Sequence, residues 1–180
     1  ESLRRATGIR AAPLRALASA DAFRSMGLDR QHAQWMIRAL KDDDLPLFDG
    51  APDPAGPDPS AAIPLPPIGP DRDVARDYSA TGLSLKAHPV SFVRDRLDAM
   101  RITPCADLAD GAAWPNGTRV RVAGLVLMRQ RPSTASGILF ITVEDETGIA
   151  NLVVFPRVYD RFRREARHAV SMVASGTVER

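Results

Sequence analysis

Apolar positions in the front of the chain recur with a helical period. Leu14 and Leu17 share a face behind Pro13, a residue suited to a first helical turn, and Ala33, Met36, Ile37 and Leu40 repeat behind Asp29, a capping residue. Between them lies Phe23-Arg24-Ser25-Met26-Gly27-Leu28, where Gly27 is free to take a positive φ. The spacing predicts two short helices around a tight turn. Two readings fit it: a helix-hairpin-helix element, or an ordinary αα-hairpin packed in a larger helical domain.

The pattern then lapses. Residues 49–70 are dense in proline and glycine, and Asp49 through Ser60 cannot bury enough apolar surface to fold. Proline favours extended segments there while Gly50, Gly56 and Gly69 interrupt them, so a linker of intermediate stiffness is expected. Order returns near Tyr78. His88 is placed to cap a helix opened by Pro89, with Val90, Val93, Leu97 and Met100 on one stripe.

From Arg119 the period shortens to that of a strand. Arg119–Arg131, Gly137–Glu144 and Ile149–Phe155 read as three meandering strands, with a bulge or sharp bend expected at Gly124 and a turn at Asp145-Glu146-Thr147-Gly148. Pro156 opens a helix to about Glu165, and Ala169–Val178 reads as a fourth strand. Three strands, a helix and a strand is the order of an OB barrel, whose fifth strand is expected to be missing because the sequence stops at Arg180. The fold class is therefore α+β and multidomain. A helix-hairpin-helix segment over 1–41, a disordered, acidic, proline-rich linker over 42–77, and a helix plus OB barrel over 78–180 are expected.

Charge follows the same division. Residues 1–40 carry seven Arg against three acids, net +4; residues 42–80 carry two Arg against nine acids, net −7; residues 81–180 carry 14 basic against 10 acidic side chains, net +4. Basic modules suit phosphate, and an acidic connector would stay clear of it. One cysteine, Cys105, excludes an internal disulfide, and no signal peptide or long apolar run is present, so a cytoplasmic protein without membrane contact is expected. Cys105 lacks a His and acid pairing, so an idle buried thiol is the expectation. Asp42-Asp43-Asp44 falls in the linker and Glu144-Asp145-Glu146 in a hairpin turn, so neither reads as a metal site.

Three stretches carry a family resemblance. They are Ala20 to Arg30, then Thr81-Gly82-Leu83-Ser84-Leu85 with His88-Pro89, and then Val122 to Val126, Arg129-Gln130-Arg131-Pro132 and Phe140 to Gly148. In that order they resemble the C-terminal region of bacterial DnaE-type, C-family DNA polymerases, most of all the error-prone ImuC-like branch. The resemblance implies a polymerase of translesion synthesis and DNA repair after damage. Its catalytic carboxylates and Mg ions would belong to a palm domain upstream, leaving no catalytic or metal site and no cofactor in this stretch.

Candidate binding residues follow from both readings. A turn ending at Gly27 beside a helix N-terminus would offer backbone N–H groups to duplex phosphate, with Arg24, Met26, Leu28 and Arg30 around it, although Leu28-Asp29 stand where a second glycine is common. If Leu139, Ile141 and Val143 face the core, Phe140 and Thr142 face out, and Phe140 resembles, in Gly-x-x-Phe-x-x-x-x-Asp, the base-stacking aromatic of related barrels. Arg121, Arg129 and Arg131 are the candidate cations. Asp44-Leu45-Pro46-Leu47-Phe48 resembles the peptide that docks bacterial polymerases onto the sliding clamp, with Asp44 in place of Gln and Leu45, Leu47 and Phe48 as apolar anchors. Other possible partners are single-stranded DNA and the Y-family-like accessory subunit of the mutagenesis complex. Rival readings are a protein-interaction barrel that touches no nucleic acid and a tRNA anticodon-binding barrel.

Overall fold

The computed structural model describes residues 6–38, 40, 64–134 and 136–180, and the chain divides into two units at Leu85/Lys86. The expected clamp-like peptide, Asp44 to Phe48, lies outside the described residues.

The first unit contains helices α1 (Ala11–Ser19), α2 (Arg30–Arg38) and α3 (Pro70–Thr81). Leu14, Ala18, Phe23, Ala33 and Ile37 form its apolar centre, with Ile9, Leu28 and Leu40 packed against it. The predicted turn is present as a 3₁₀ turn at Arg24–Met26 that ends on Gly27 at φ 77°. Asp29 caps α2 as expected, accepting a hydrogen bond from the His32 amide at 2.9 Å.

Helix α3 corrects the linker boundary, since eight of its residues fall inside the expected 42–77 stretch. Its local signals are a proline at the first position, Asp71 and Asp73 in the first turn, and Gly82 in the left-handed region just past the end. A hydrophobic period could not announce it, because Val74 is its one buried apolar side chain. Arg30 supplies what apolar area does not. It is only 2% exposed, pairs with Asp77 and, at 3.2 Å, with Asp73, and donates to the Ser19 carbonyl at 2.9 Å. A buried cation is tolerated only when so matched.

The second unit carries the three-strand, helix, strand order expected of an OB fold. Strands β1 (Arg119–Gln130), β2 (Leu139–Glu144), β3 (Ile149–Val154) and β4 (Ser171–Thr177) form an antiparallel sheet in the order β3-β2-β1-β4. Ahead of it, His88 Nδ1 accepts from the Val90 amide at 3.2 Å and caps a 3₁₀ turn (Pro89–Val93) that leads into α4 (Arg94–Ala99). Between β3 and β4 come α5 (Pro156–Arg161) and α6 (Arg163–His168), where one helix was predicted; the chain breaks at Phe162. The core gathers Val122, Leu139, Ile141, Val143 and Ala150 from the strands, Tyr159 and Ala166 from the two helices, and Cys105 from a 3₁₀ turn (Cys105–Ala109).

Strand β1 serves two partners. Arg119 to Leu125 pair with β4, and Leu125 to Gln130 pair with β2. The irregularity expected at Gly124 falls between Val126 and Met128 instead. Gly124 has a different reason to lack a side chain: a Cβ there would lie 2.4 Å from the Glu144 backbone oxygen, where the strand changes partners. Gly124→Ala should therefore destabilise the barrel by roughly 1–3 kcal/mol. Gly176→Ala, whose Cβ would meet nothing within 4 Å, should cost no more than about 0.5 kcal/mol. Urea unfolding of the two variants beside the parent chain checks both values.

Candidate nucleic-acid interface

Side-chain alternation places Leu139, Ile141 and Val143 inward and Phe140 and Thr142 outward, as the sequence implied. Three cross-strand rows cover the outer face of the meander. Gln130, Phe140 and Val153 make one; Met128, Thr142 and Asn151 the next; Leu125, Glu144 and Ile149 the third. Phe140 is 38% exposed, and Val153 and Ile149 are still more open. Thr142 is held by its neighbour Asn151, to whose Oδ1 its hydroxyl donates at 2.9 Å. The face thus sets five apolar side chains among polar groups in every row: the Gln130 amide in the first, Thr142 and Asn151 in the middle, and the Glu144 carboxylate in the third.

The arginines expected to line it are engaged elsewhere. Arg129 is drawn under the sheet edge, where it donates to the Ala166 carbonyl at 2.6 Å and also to that of Ala169, satisfying the orphan carbonyls at the end of α6. Arg131 lies over the Tyr159 ring at 4.8 Å. Arg121, on the β4-paired half of β1, donates to the Met100 carbonyl at 3.0 Å. Of the expected cations, then, Arg129 is a structural tie.

Asp145 explains the second half of the Phe-to-Asp pattern. Its side chain is wholly buried. Oδ1 accepts from the Thr147 amide at 2.8 Å, the Thr147 hydroxyl at 2.6 Å and the Gly148 amide at 3.1 Å; Oδ2 accepts from the Cys105 amide and from Arg94, each at 2.9 Å. Burial alone would raise this carboxyl, but the hydrogen bonds from Thr147 and Cys105 outweigh it and hold it below the ordinary range. Glu146 is likewise held low by its hydrogen bonds from Arg94. Asp145 and Glu146 are thus engaged by the protein's own donors. Burial first, then the Asp145 charge, push the Cys105 thiol up to about 12.

In the helical unit the expected phosphate grip is not built. The Met26 amide donates to Phe23, Gly27 to Arg24 and Leu28 to Phe23, at 2.9, 3.0 and 3.3 Å, so the turn's N–H groups are consumed internally. The Asp29 carboxylate occupies the α2 N-terminus, held low by the His32 amide. Arg24 is tied to Asp21 at 2.8 Å and faces Asp73 at 3.6 Å, while Arg30 is buried among Asp73 and Asp77. Met26 stands exposed beside the turn with no charge to offer. The carboxylates of Asp21, Asp73 and Asp77 could suggest a cation site, but the Arg30 guanidinium already meets them. This hairpin packs a helical unit.

Residues 120–180 match the family model described as an OB-fold nucleic acid binding domain, named for tRNA anticodon binding. The wider resemblance is to a particular group of enzymes. The chain is 46% identical over 182 residues to the error-prone DNA polymerase of Rhodopseudomonas palustris strain HaA2 and 44% identical over 180 residues to that of Bradyrhizobium diazoefficiens, in both cases across 99% of the chain. It is 47% identical over 167 residues, 91% of the chain, to the error-prone DNA polymerase of Rhodopirellula baltica. The chain spans about 15% of the length of these curated relatives. No helix among the described residues is long and apolar enough to cross a membrane.

Sequence reasoning missed Arg94 as the partner of the turn acids, although its place two turns after the His88 cap was visible. The depressed Asp145 and Glu146 give folding free energy that is present above the ordinary carboxylate range and lost as pH falls through their lower folded values. Acid should therefore unfold the barrel from about pH 4 downward. Asp145→Asn should cost roughly 3–5 kcal/mol at pH 7, by leaving Arg94 short of its buried partner, and flatten that acid limb. Denaturant melts across pH measure both effects.

Proposed function

We propose that this chain is a non-catalytic, strand-handling and partner-docking region of an error-prone DNA polymerase that acts in translesion synthesis and repair in the cytoplasm. The observation that carries the reading is Phe140, open on the outer face of β2 while its neighbours fill the core and Asp145 supplies the rigidity. An exposed ring on a fixed sheet is a platform for an unpaired base, with Val153 and Met128 widening it and Thr142 and Asn151 offering polar edges. In this reading the polymerase chemistry, with its carboxylates and Mg ions, belongs to a palm domain outside this chain. Similarity over nearly the whole chain to error-prone polymerases favours DNA over a tRNA anticodon as the strand.

A second reading has its own support. The outer shelf is more apolar than a phosphate-tracking groove requires, and Met128, Val153 and Phe155 are all about half exposed. Such a surface suits an accessory subunit of the mutagenesis complex. Docking onto the sliding clamp through Asp44, Leu45, Leu47 and Phe48 belongs to the same proposal.

Fluorescence anisotropy with single-stranded oligonucleotides across a salt series separates the readings. Strand handling requires binding that weakens with salt and a loss of roughly 1–3 kcal/mol on Phe140→Ala. Absence of binding at low salt would discard it and leave protein docking as the role of the shelf.

A further inference from the structure

Away from the Phe140 shelf, on the half of β1 that pairs with β4, the second unit holds a cleft of about 570 Å³. Arg101, Arg119 and Arg121 line it together with Trp114, and Thr103, Ser175 and Thr177 complete the wall. No acidic side chain lines it. By contrast, Arg30 is matched to Asp73 and Asp77, Arg94 to Asp145 and Glu146, and Arg24 to Asp21. Among the described residues, Arg101 and Arg119 have no carboxylate partner, and Arg121 spends one donor on the Met100 carbonyl. The cleft is assembled from distant positions. The Thr103 amide donates to the Arg121 carbonyl at 2.7 Å, which brings the Arg101 segment beside β1, and Gly117 bonds to the Val178 carbonyl at 2.9 Å, closing the loop that carries Trp114 onto the end of β4.

Three arginines along one cleft whose lining holds no acidic side chain suit an anion, and guanidinium forks suit phosphate oxygens. A half-buried indole beside them offers a face for a base. Hydroxyls of Ser175 and Thr177 add donors suited to phosphate or sugar oxygens. A cleft of this size takes a nucleotide, and its openness to solvent lets a strand enter and leave. We propose that this cleft is a second nucleic-acid subsite, in which Arg101, Arg119 and Arg121 hold a phosphodiester of an unpaired strand and Trp114 stacks one of its bases. The inference rests on the strand-handling reading and extends it: the strand is gripped by charge at the β1–β4 end and by an aromatic platform on β2, so the two sites contribute separately. It also accounts for the shortage of cations around Phe140.

The chain has two tryptophans, Trp35 and Trp114, so Trp35→Phe leaves Trp114 as the single reporter. In that background, the 180-residue chain is titrated with an eight-nucleotide thymidine oligomer while indole emission and the anisotropy of a labelled oligomer are read together. The expected result is quenching of Trp114, with Arg101→Ala/Arg119→Ala lowering affinity at least about tenfold and reducing the salt slope by about 1.4. Circular dichroism of the double variant checks that it retains its fold, and the Trp114 signal of the parent is informative without it. Oligomer binding with unchanged Trp114 emission and an unaltered salt slope in the double variant would overturn the cleft while sparing the Phe140 reading. No binding at all would overturn both. Quenching of equal strength by inorganic phosphate or thymidine monophosphate at the same phosphate concentration would overturn the strand as ligand in favour of a free phosphate compound.

Discussion

The barrel depends on one buried carboxylate. Asp145 sits where β2 turns into β3, and its two oxygens collect donors from the turn, from the segment at Cys105 and from Arg94 on α4. An unpaired charge in that position would be expensive, but this one is saturated with hydrogen bonds and faces a guanidinium. The consequence is geometric. The β2–β3 hairpin is fixed against the segment that precedes the sheet, so the outer rows of Gln130, Phe140 and Val153 and of Met128, Thr142 and Asn151 form a preset surface. A platform that is already ordered loses little freedom when a base or a side chain settles on it.

The same logic of saturation sorts the arginines. Most of those that sequence reasoning nominated serve the fold: Arg30 holds α3 to the front helices, Arg129 closes the end of α6, and Arg131 rests on Tyr159. Arg101 and Arg119, which no motif singled out, have no acidic partner among the described residues and line one cleft with Arg121. Net charge alone could not distinguish these groups, because a guanidinium inside an ion pair and one facing solvent count equally in a sum. Their difference lies in what the fold places within hydrogen-bond reach.

The four-stranded sheet was legible in the sequence because strands advertise themselves locally. The alternation of Leu139, Ile141 and Val143 with Phe140 and Thr142 needs no tertiary knowledge, and the strand-helix-strand order then restricts the topology. Helix α3 escaped because its hold on the unit is electrostatic, and an Arg–Asp pair separated by 47 residues leaves no periodic trace. The hairpin was recognised as a local shape, but its suitability for phosphate turned on which N–H groups were spent and where Asp29 pointed. The Arg101–Trp114–Arg119 cleft was invisible for a similar reason, since it takes the bonds of Thr103 to β1 and of Gly117 to the Val178 carbonyl to bring those segments together.

The central claim is that this region handles a strand through its OB unit and not through its helical hairpin. Backbone amide shifts of the ¹⁵N-labelled chain, followed during titration with single-stranded DNA, test it directly. The account predicts that perturbations cluster on Met128, Phe140, Thr142 and Val153 and around Trp114 and Arg119, leaving residues 11–38 undisturbed. Shifts concentrated at Arg24, Gly27 and the start of the helix at Arg30, with the barrel silent, would contradict it.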